Sequence, residues 1–190
     1  MIKRIDHVAL AVRDYEKALL FFRKLFGAVL GASNEDPGMK YVWQLMSVGD
    51  LSRLEILTPT GRGSFLDNFL EKKDGGVHHM TFQTADIRKA AMILEKNEIP
   101  FFGLREYGNV WKELFIHPRN AFGVLIQIAE FNPPDWLDPS VNMPGGKKFS
   151  VEKKPGGIAV TFAHEGGGRA SLDLTEKEAA EFIDELKSKL

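Results

Sequence analysis

The chain has no cysteine, no long hydrophobic run and no excess of either sign of charge. The lack of cysteine excludes disulfides, cysteine-bound zinc and a thiol nucleophile. Lys and Arg number 25 against 26 Asp and Glu, so no overall field attracts the chain to nucleic acid or an anionic membrane. The N-terminal apolar segment is broken by Asp6, His7 and Arg13, which argues against a secretion signal or a membrane span. We expect a cytoplasmic protein that binds a small molecule, with no nucleic-acid and no membrane partner.

The first 131 residues contain an internal repeat with an offset of 72 residues. Residues 7–18 align without a gap on residues 79–90, and a second stretch matches at the same offset. Three pairs of polar residues coincide: His7 with His79, Asp14 with Asp86, and Glu55 with Gln127. Because a repeat of this length indicates duplicated structural units, we predict two modules of the same architecture.

Each half begins with alternating residues, typical of a strand, and continues with helical periodicity. In residues 5–12 and 77–82, the histidines His7 and His79 lie on the strand face away from the bulky apolar side chains. By the same alternation, His78 is predicted to face the other way. Asp14 and Asp86 are predicted helix N-caps, since an Asp oxygen can accept an unpaired N–H of the first turn. Short strand-like segments follow at residues 41–48, 53–57, 114–116 and 124–128.

These patterns predict an α+β fold in which two tandem βαβββ modules form a curved, cup-shaped mixed sheet. The modules occupy residues 1–60 and 74–131, and a connector spans residues 61–73. Proline and glycine mark a linker at 132–148. Residues 149–190 are predicted to form a C-terminal β-rich extension that ends in a helix, whose start is marked by the capping-box spacing of Thr175 and Glu178.

The repeat also predicts a metal site. If the two modules pair, four polar side chains from matching strand positions converge in the cup: His7, Glu55, His79 and Gln127. Two imidazoles, a carboxylate and an amide oxygen suit a divalent cobalt, zinc, nickel, manganese or iron ion, and the ligand set does not select among them. Coordination positions left open would take water or substrate oxygens.

The segments Ile5-Asp-His7-Val-Ala-Leu-Ala-Val12, Leu54-Glu55-Ile-Leu57, Gly76-Val-His78-His79-Met80 and Gly123-Val-Leu-Ile-Gln127 resemble the vicinal oxygen chelate superfamily. This superfamily contains the glyoxalases, bleomycin resistance proteins and some dioxygenases. Within it, the motifs are most similar to those of the methylmalonyl-CoA epimerases. The resemblance covers about residues 2–131.

The resemblance implies a homodimer and a metal-dependent isomerase or lyase that stabilises an enolate. The substrate would be a small molecule, either an acyl-CoA thioester or a 2-oxo compound. It implies that the predicted ligands hold the ion, and it assigns the epimerase proton-transfer positions to Gln44 and Gln127, with Glu55 as a further catalytic residue. This chain has glutamate and glutamine exchanged at positions 55 and 127 relative to the epimerases. Because an amide cannot take up a proton near neutral pH, Glu55 is the one base predicted from the sequence.

Two other functions stay open. His7, His79 and Glu55 also form a two-histidine, one-carboxylate set that suits an iron-dependent dioxygenase. A non-catalytic small-molecule binding protein could use the same cup. Lys147, Lys148 and two further lysines of the tail could meet the phosphates of a CoA-like ligand, although such a cluster is more often a solvated loop.

Overall fold

The computed structural model describes residues 2–190, so Met1, the first residue of the predicted first module, lies outside the described residues. The helices are α1 (Tyr15–Phe26), α2 (Asp67–Leu70), α3 (Ile87–Lys96) and α4 (Glu176–Lys187). The strands are β1 (Ile2–Val12), β2 (Val29–Asp36), β3 (Tyr41–Val48), β4 (Ser52–Pro59), β5 (Gly75–Thr84), β6 (Phe102–Tyr107), β7 (Trp111–Ile116), β8 (Leu125–Phe131), β9 (Phe149–Lys154), β10 (Gly157–Ala163) and β11 (Arg169–Thr175).

The first eight strands form one mixed sheet in the order β2-β3-β4-β1-β5-β8-β7-β6. Within each half, the first strand runs parallel to the last, β1 to β4 and β5 to β8. The two halves meet where β1 pairs antiparallel with β5. This arrangement confirms the predicted α+β class and the two βαβββ modules. It also places the two most polar strand segments, at residues 7 and 79, side by side at the centre of the sheet.

The two long helices of the modules begin at the predicted caps. Asp14 accepts from the backbone N–H of Lys17, and Asp86 accepts from that of Lys89, each at 2.9 Å. Both bonds satisfy a donor that the first helical turn leaves unpaired. Helix α1 then ends at Gly27, whose φ of 63° is the left-handed conformation that glycine adopts without a side-chain clash.

The helices α1 and α3 cover one face of the sheet, and the short helix α2 packs on the other. Under α1 lie Met46 and Ile56, and under α3 lies Leu114, all fully buried. On the opposite face, Ala9, Ala11 and Leu57 contact the α2 residues Leu66 and Leu70. The connector therefore closes part of the cup, and the remainder of that face stays available for a site.

Strands β2 and β6 were not located from the sequence. Both lie at the outer edges of the sheet, where a strand is solvated along one side and has weak alternation. Four of the six β6 residues from Phe102 to Tyr107 end the strand fully exposed, as the burial pattern shows. The predicted strand at 114–116 also begins three residues too late, since β7 starts at Trp111.

The remaining residues form a second, three-stranded sheet, ordered β11-β10-β9, with helix α4 against it. Thr175 and Glu178 make both hydrogen bonds of the predicted capping box. The segment 132–148 contains three 3-10 turns and packs on the first sheet, with Leu137 and Met143 buried. The division of the chain at 131 and 148 stays a prediction. Among residues 2–190, no helix has the length and apolar character needed to cross a membrane.

Candidate metal centre

Three of the predicted ligands meet at the centre of the sheet. His7, Glu55 and His79 each offer a ligand atom, and these atoms all lie within 4.8 Å of one another. Glu55 Oε2 is 3.7 Å from His7 Nε2 and 3.5 Å from His79 Nε2. Metal bonds to such atoms are about 2.0–2.2 Å long, so one ion placed between them could reach all three after small side-chain adjustments.

The strand register explains this convergence. Ala9 on β1 pairs with Glu55 on β4 and also with His79 on β5. The methyl side chain of Ala9, fully buried, therefore lies between a carboxylate and an imidazole and leaves space above it. His7 precedes Ala9 by two residues on the same strand face. Small residues along β1 thus make room for the polar group.

Gln127 joins the group through Thr81, a fully buried residue that the sequence did not single out. The Thr81 hydroxyl donates to Gln127 Oε1 at 2.5 Å and lies 2.9 Å from His7 Nε2. In register, Thr81 pairs with both His7 and Gln127. The structure therefore brings all four predicted ligands together around Thr81 and Ala9.

Both histidines are held through their other ring nitrogen. His7 Nδ1 lies 2.9 Å from Asp6 Oδ2, and Asp6 is in turn paired with the buried guanidinium of Arg53. His79 Nδ1 lies 2.9 Å from His78 Nδ1. Each contact leaves Nε2 directed at Glu55. A carboxylate bonded to the far nitrogen of a ligand histidine is a common feature of protein metal sites, where it fixes the ring orientation.

His78 departs from the predicted alternation. The register between β1 and β5 passes from Ala9–His79 to Leu10–Val77, so His78 is the extra residue of a β-bulge. Its ring contacts Phe65 and Phe69 next to α2. Burial, followed by the nearby Lys73 charge, lowers the pKa of His78 to about 4. His78 is therefore neutral near pH 7 and sits beside His79 rather than opposite it.

The donor atoms fit a divalent cation. His79 Nε2 is buried and has no hydrogen-bond partner among residues 2–190, although a buried polar atom left unpaired costs about 1–3 kcal/mol. Burial, followed by the neighbouring His7 and His78, places the pKa of His79 well below its usual range. A neutral imidazole with an unused lone pair next to a carboxylate is the form that binds a metal ion.

Glu55 is tuned by the same surroundings. Burial is the main reason that its pKa rises to about 6, while His7 opposes the rise and the charges of Glu113 and Asp6 add to it. A carboxyl group with a pKa near 6 can both release and accept a proton close to neutral pH. Glu55 therefore has the properties of a general base as well as those of a ligand.

Gln44, predicted as a proton-transfer position, lies outside this group. On β3, Leu45 pairs with Glu55, so Trp43 and Leu45 face the cup and Gln44 points to the opposite side. There its amide donates to the backbone oxygens of Gly31 at 3.0 Å and Leu45 at 2.8 Å. The aligned position was wrong by one residue, and one residue reverses the face of a strand side chain.

The cup contains a second carboxylate, Glu113, that the sequence did not indicate. Glu113 Oε2 accepts from Gln127 Nε2 at 2.7 Å and from Trp111 Nε1 at 2.9 Å. Leu45 pairs with Glu55 on β3, and Phe115 pairs with Gln127 on β7, so these strands repeat with an offset of 70. A search at the offset of 72 misses this relation. At 70, Glu113 occupies the place that Trp43 occupies in the first module.

The polar group lies at the bottom of a cavity of about 340 Å³. Aromatic rings and carboxylates form most of its wall, and the segment 132–148 contributes Trp136. The lining residues are Asp6, His7, Asn34, Glu35, Asp36, Pro37, Tyr41, Trp43, Leu45, Glu55, Tyr107, Trp111, Glu113, Gln127, Phe131 and Trp136. The cavity gives a small molecule access to the candidate ligands.

The C-terminal extension reaches the site through Arg53. This buried side chain donates to Asp6 Oδ1 and to the backbone oxygens of Gly166 and Gly167, the last at 3.1 Å. A chain of contacts thus runs from the extension through Arg53 and Asp6 to His7. The loop at 166–168 satisfies the guanidinium donors that Asp6 leaves unpaired, which keeps Asp6 in place against His7.

Replacing Gly167 with alanine is expected to weaken divalent-metal binding about tenfold, the lower end of the effect of changes behind a ligand histidine. Gly167 has a φ of 78°, and an added Cβ would lie 2.8 Å from Leu137 Cδ1 and 3.0 Å from Pro133 Cβ. The loop must shift, and its carbonyls move away from Arg53. Competition with a chromophoric chelator measures the affinity.

The matched control is Gly156→Ala. Gly156 has a φ of 77°, but no atom lies within 4 Å of an added Cβ, so this variant has the same backbone strain without the clash. Both variants are expected to lose some stability, about 1–2 kcal/mol for a side chain in the left-handed region. Only Gly167→Ala should lose metal affinity. Equal affinities in the two variants would disprove the connection to His7.

Sequence comparison finds relatives for the part of the chain that carries the site. Residues 6–115 match the sequence profile of the Glyoxalase/Bleomycin resistance protein/Dioxygenase superfamily. The mitochondrial methylmalonyl-CoA epimerase of Homo sapiens is 33% identical over 132 residues, covering 67% of this chain and 73% of that protein. The ethylmalonyl-CoA/methylmalonyl-CoA epimerase of Cereibacter sphaeroides is 34% identical over 134 residues, covering 68% of this chain and 99% of that protein.

Structural comparison gives the same result. A variant of Streptomyces coelicolor methylmalonyl-CoA epimerase in complex with 2-nitronate-propionyl-CoA superposes with a TM-score of 0.63 at 25% sequence identity. The match covers 69% of this chain and 99% of that chain. The C-terminal part of this chain, which supplies Trp136 and the glycine loop, therefore extends beyond the region shared with that enzyme.

Proposed function

The chain belongs to the Glyoxalase/Bleomycin resistance protein/Dioxygenase superfamily, and from this we propose that it is a metal-dependent isomerase that moves a proton at the carbon next to a substrate carbonyl. His7, Glu55, His79 and Gln127 would hold the ion. A divalent ion bound there would act as a Lewis acid that stabilises negative charge on the substrate oxygen. The similarity to methylmalonyl-CoA epimerases supports epimerisation as the reaction.

The observation that carries this proposal is the buried group of His7, Glu55 and His79, whose ligand atoms lie within 4.8 Å of one another. The group opens into a cavity that could admit a substrate. Asp6 orients one imidazole and His78 contacts the other. A group held in this way needs little rearrangement to bind an ion, which favours a functional site over a chance cluster.

Epimerisation needs one group to remove a proton and another to return it on the opposite face of the carbon. Glu55 and Glu113 are the two carboxylates proposed for these roles. They come from different modules and line the same cavity, and each charge affects the other strongly enough for Glu113 to raise the pKa of Glu55. Gln127 would act as a positioning residue, because its amide donates to Glu113 and its oxygen accepts from Thr81.

An iron-dependent dioxygenase is the second candidate, because the same group supplies two histidines and one carboxylate. Such sets leave coordination positions for oxygen and substrate. The second carboxylate in the cup favours proton transfer instead, since oxygen activation does not require a pair of bases. Oxygen consumption by the iron-loaded protein would support the dioxygenase.

The proposal is tested by metal analysis of the purified chain, followed by NMR detection of solvent-deuterium incorporation. The probes are methylmalonyl-CoA and small 2-hydroxy ketones. We expect one divalent ion per chain and deuterium at the carbon next to the carbonyl of at least one probe. An ion bound at this site without exchange into any probe would leave a binding protein of the same fold.

A further inference from the structure

The cavity has an aromatic wall that includes every tryptophan of the chain. Trp43, Trp111 and Trp136 all line it, and the chain has three tryptophans. The Trp136 ring lies 5.6 Å from that of Trp43 and 4.9 Å from that of Trp111, centre to centre. Phe131 stacks on Trp111 at 4.6 Å. Rings at these distances form a continuous surface, on which a planar ligand ring can stack.

Trp136 also carries a donor that a ligand could use. Its Nε1 is buried and has no acceptor among residues 2–190, and an indole N–H can only donate. A carbonyl or hydroxyl oxygen held in the cavity would supply the missing acceptor. Trp136 belongs to the segment 132–148, outside the region shared with the epimerases, so this part of the wall is a feature of this chain.

The cavity wall is acidic. Five carboxylates line it, and of the 25 lysines and arginines none does; the five are Asp6, Glu35, Asp36, Glu55 and Glu113. The two nearby cations already face carboxylates. Arg53 is paired with Asp6, and Arg105, across from Glu113 in the strand register, has its charge near Glu113 and Asp36. Negative charge on a wall repels anionic ligands, most strongly where water is excluded.

We infer that the cavity takes a compact carbonyl compound that carries two adjacent oxygens and a non-anionic aromatic ring, and that it discriminates against acyl-CoA thioesters. The adjacent oxygens would face His7, Glu55 and His79, and the ring would stack on the tryptophans. The volume of about 340 Å³ lies at the low end of small-molecule sites. Glu35 and Asp36, which end β2, would repel the phosphates of a CoA tail. This inference rests on the proposed function, because it names the substrate class of the same site.

Four probes separate the contributions of ring, charge and CoA. They are 2-hydroxyacetophenone, its para-carboxylate derivative, hydroxyacetone and methylmalonyl-CoA. Binding to the full chain, with and without added Co²⁺, is measured by calorimetry, and deuterium exchange by NMR. We expect 2-hydroxyacetophenone to bind at least tenfold more tightly than the other three probes. In the double variant Glu35→Gln/Asp36→Asn, the gap between the neutral and the carboxylated ring should narrow by about threefold or more.

Trp136→Leu is expected to weaken 2-hydroxyacetophenone about tenfold and to leave hydroxyacetone unchanged, because only the first probe has a ring. Phe162→Leu, which removes an exposed ring on β10, is the matched control and should change neither. This comparison separates lost stacking from lost folding, because a misfolded cavity would lose both probes together.

The outcomes distinguish the two proposals. Tighter binding of methylmalonyl-CoA than of 2-hydroxyacetophenone overturns the inference, as does equal binding of the neutral and carboxylated rings or the absence of binding by any probe. Deuterium exchange into methylmalonyl-CoA alone would overturn the inference and leave the proposed function intact. Ring-selective binding without exchange would support the inference and remove the proposed function.

Discussion

The Glu55→Gln variant is expected to lose proton exchange by about a thousandfold or more. Removal of a general base alone costs roughly 10²–10⁴ in rate, and Glu55 is also the carboxylate of the candidate ligand group. An amide of the same shape keeps the packing at this buried position but cannot take up the proton. The rate is measured as deuterium incorporation into whichever probe the unmodified chain exchanges.

Two further variants separate the roles of Glu55. Glu106→Gln removes a carboxylate on β6 that pairs with Arg88 at the surface, and exposed pairs contribute little, so exchange should be unchanged. In Glu55→Gln/Gln127→Glu, the ligand group again has one carboxylate and one amide. Metal binding should return to within about tenfold, while exchange stays low because the base has moved beside Glu113. Full exchange in the single variant would contradict the assignment of Glu55.

The second large effect is expected for Glu113→Gln, which should reduce exchange about a hundredfold and leave metal content unchanged. Glu113 is not among the three clustered ligands, but it lines the same cavity. A glutamine oxygen can still accept from Gln127 Nε2 and Trp111 Nε1, which both bond to Glu113 Oε2. The local hydrogen bonds are therefore kept and only the proton-carrying group is lost.

Metal analysis and deuterium exchange on the same Glu113→Gln sample provide the test. A normal exchange rate would show that Glu113 only supports Gln127 and that the site works with one base. A joint loss of metal and exchange would place Glu113 in the support of the ion instead. For comparison, Glu130 on the neighbouring strand pairs with Lys112 and is absent from the cavity wall, so Glu130→Gln should retain both metal and exchange.

The repeat in the sequence was sufficient to predict the architecture and the candidate ligands. Identical residues at an offset of 72 identified equivalent strands, and the alternation along β1, β4, β5 and β8 identified the face of each side chain. Both signals are local and survive duplication. The N-cap residues Asp14 and Asp86 were predictable for the same reason, since a cap depends on residues three apart.

The second carboxylate was not predictable, because it depends on a change of register between the modules. The strand pairs Leu45–Glu55 and Phe115–Gln127 show that β3 and β7 repeat at an offset of 70. The same uncertainty in β3 led to Gln44 in place of its neighbour Trp43. Loop lengths before each strand set these registers, and a single sequence does not report them.

The contribution of the C-terminal residues also could not be predicted. Trp136 and Gly167 reach the site through contacts between segments more than 80 residues apart, as in the bond from Arg53 to Gly167. These contacts have no periodic signal in the sequence. The homodimer and the cytoplasmic location stay predictions, which analytical ultracentrifugation and cell fractionation would test.

The central claim is that His7, Glu55 and His79 bind one divalent ion. Titration of the metal-free chain with Co²⁺, followed by visible absorption, tests it most directly. The account predicts saturation at one equivalent, with loss of the signal in His79→Ala and retention in His117→Ala, whose imidazole lies outside the group. Absence of a saturable signal, or an unchanged titration in His79→Ala, would contradict it.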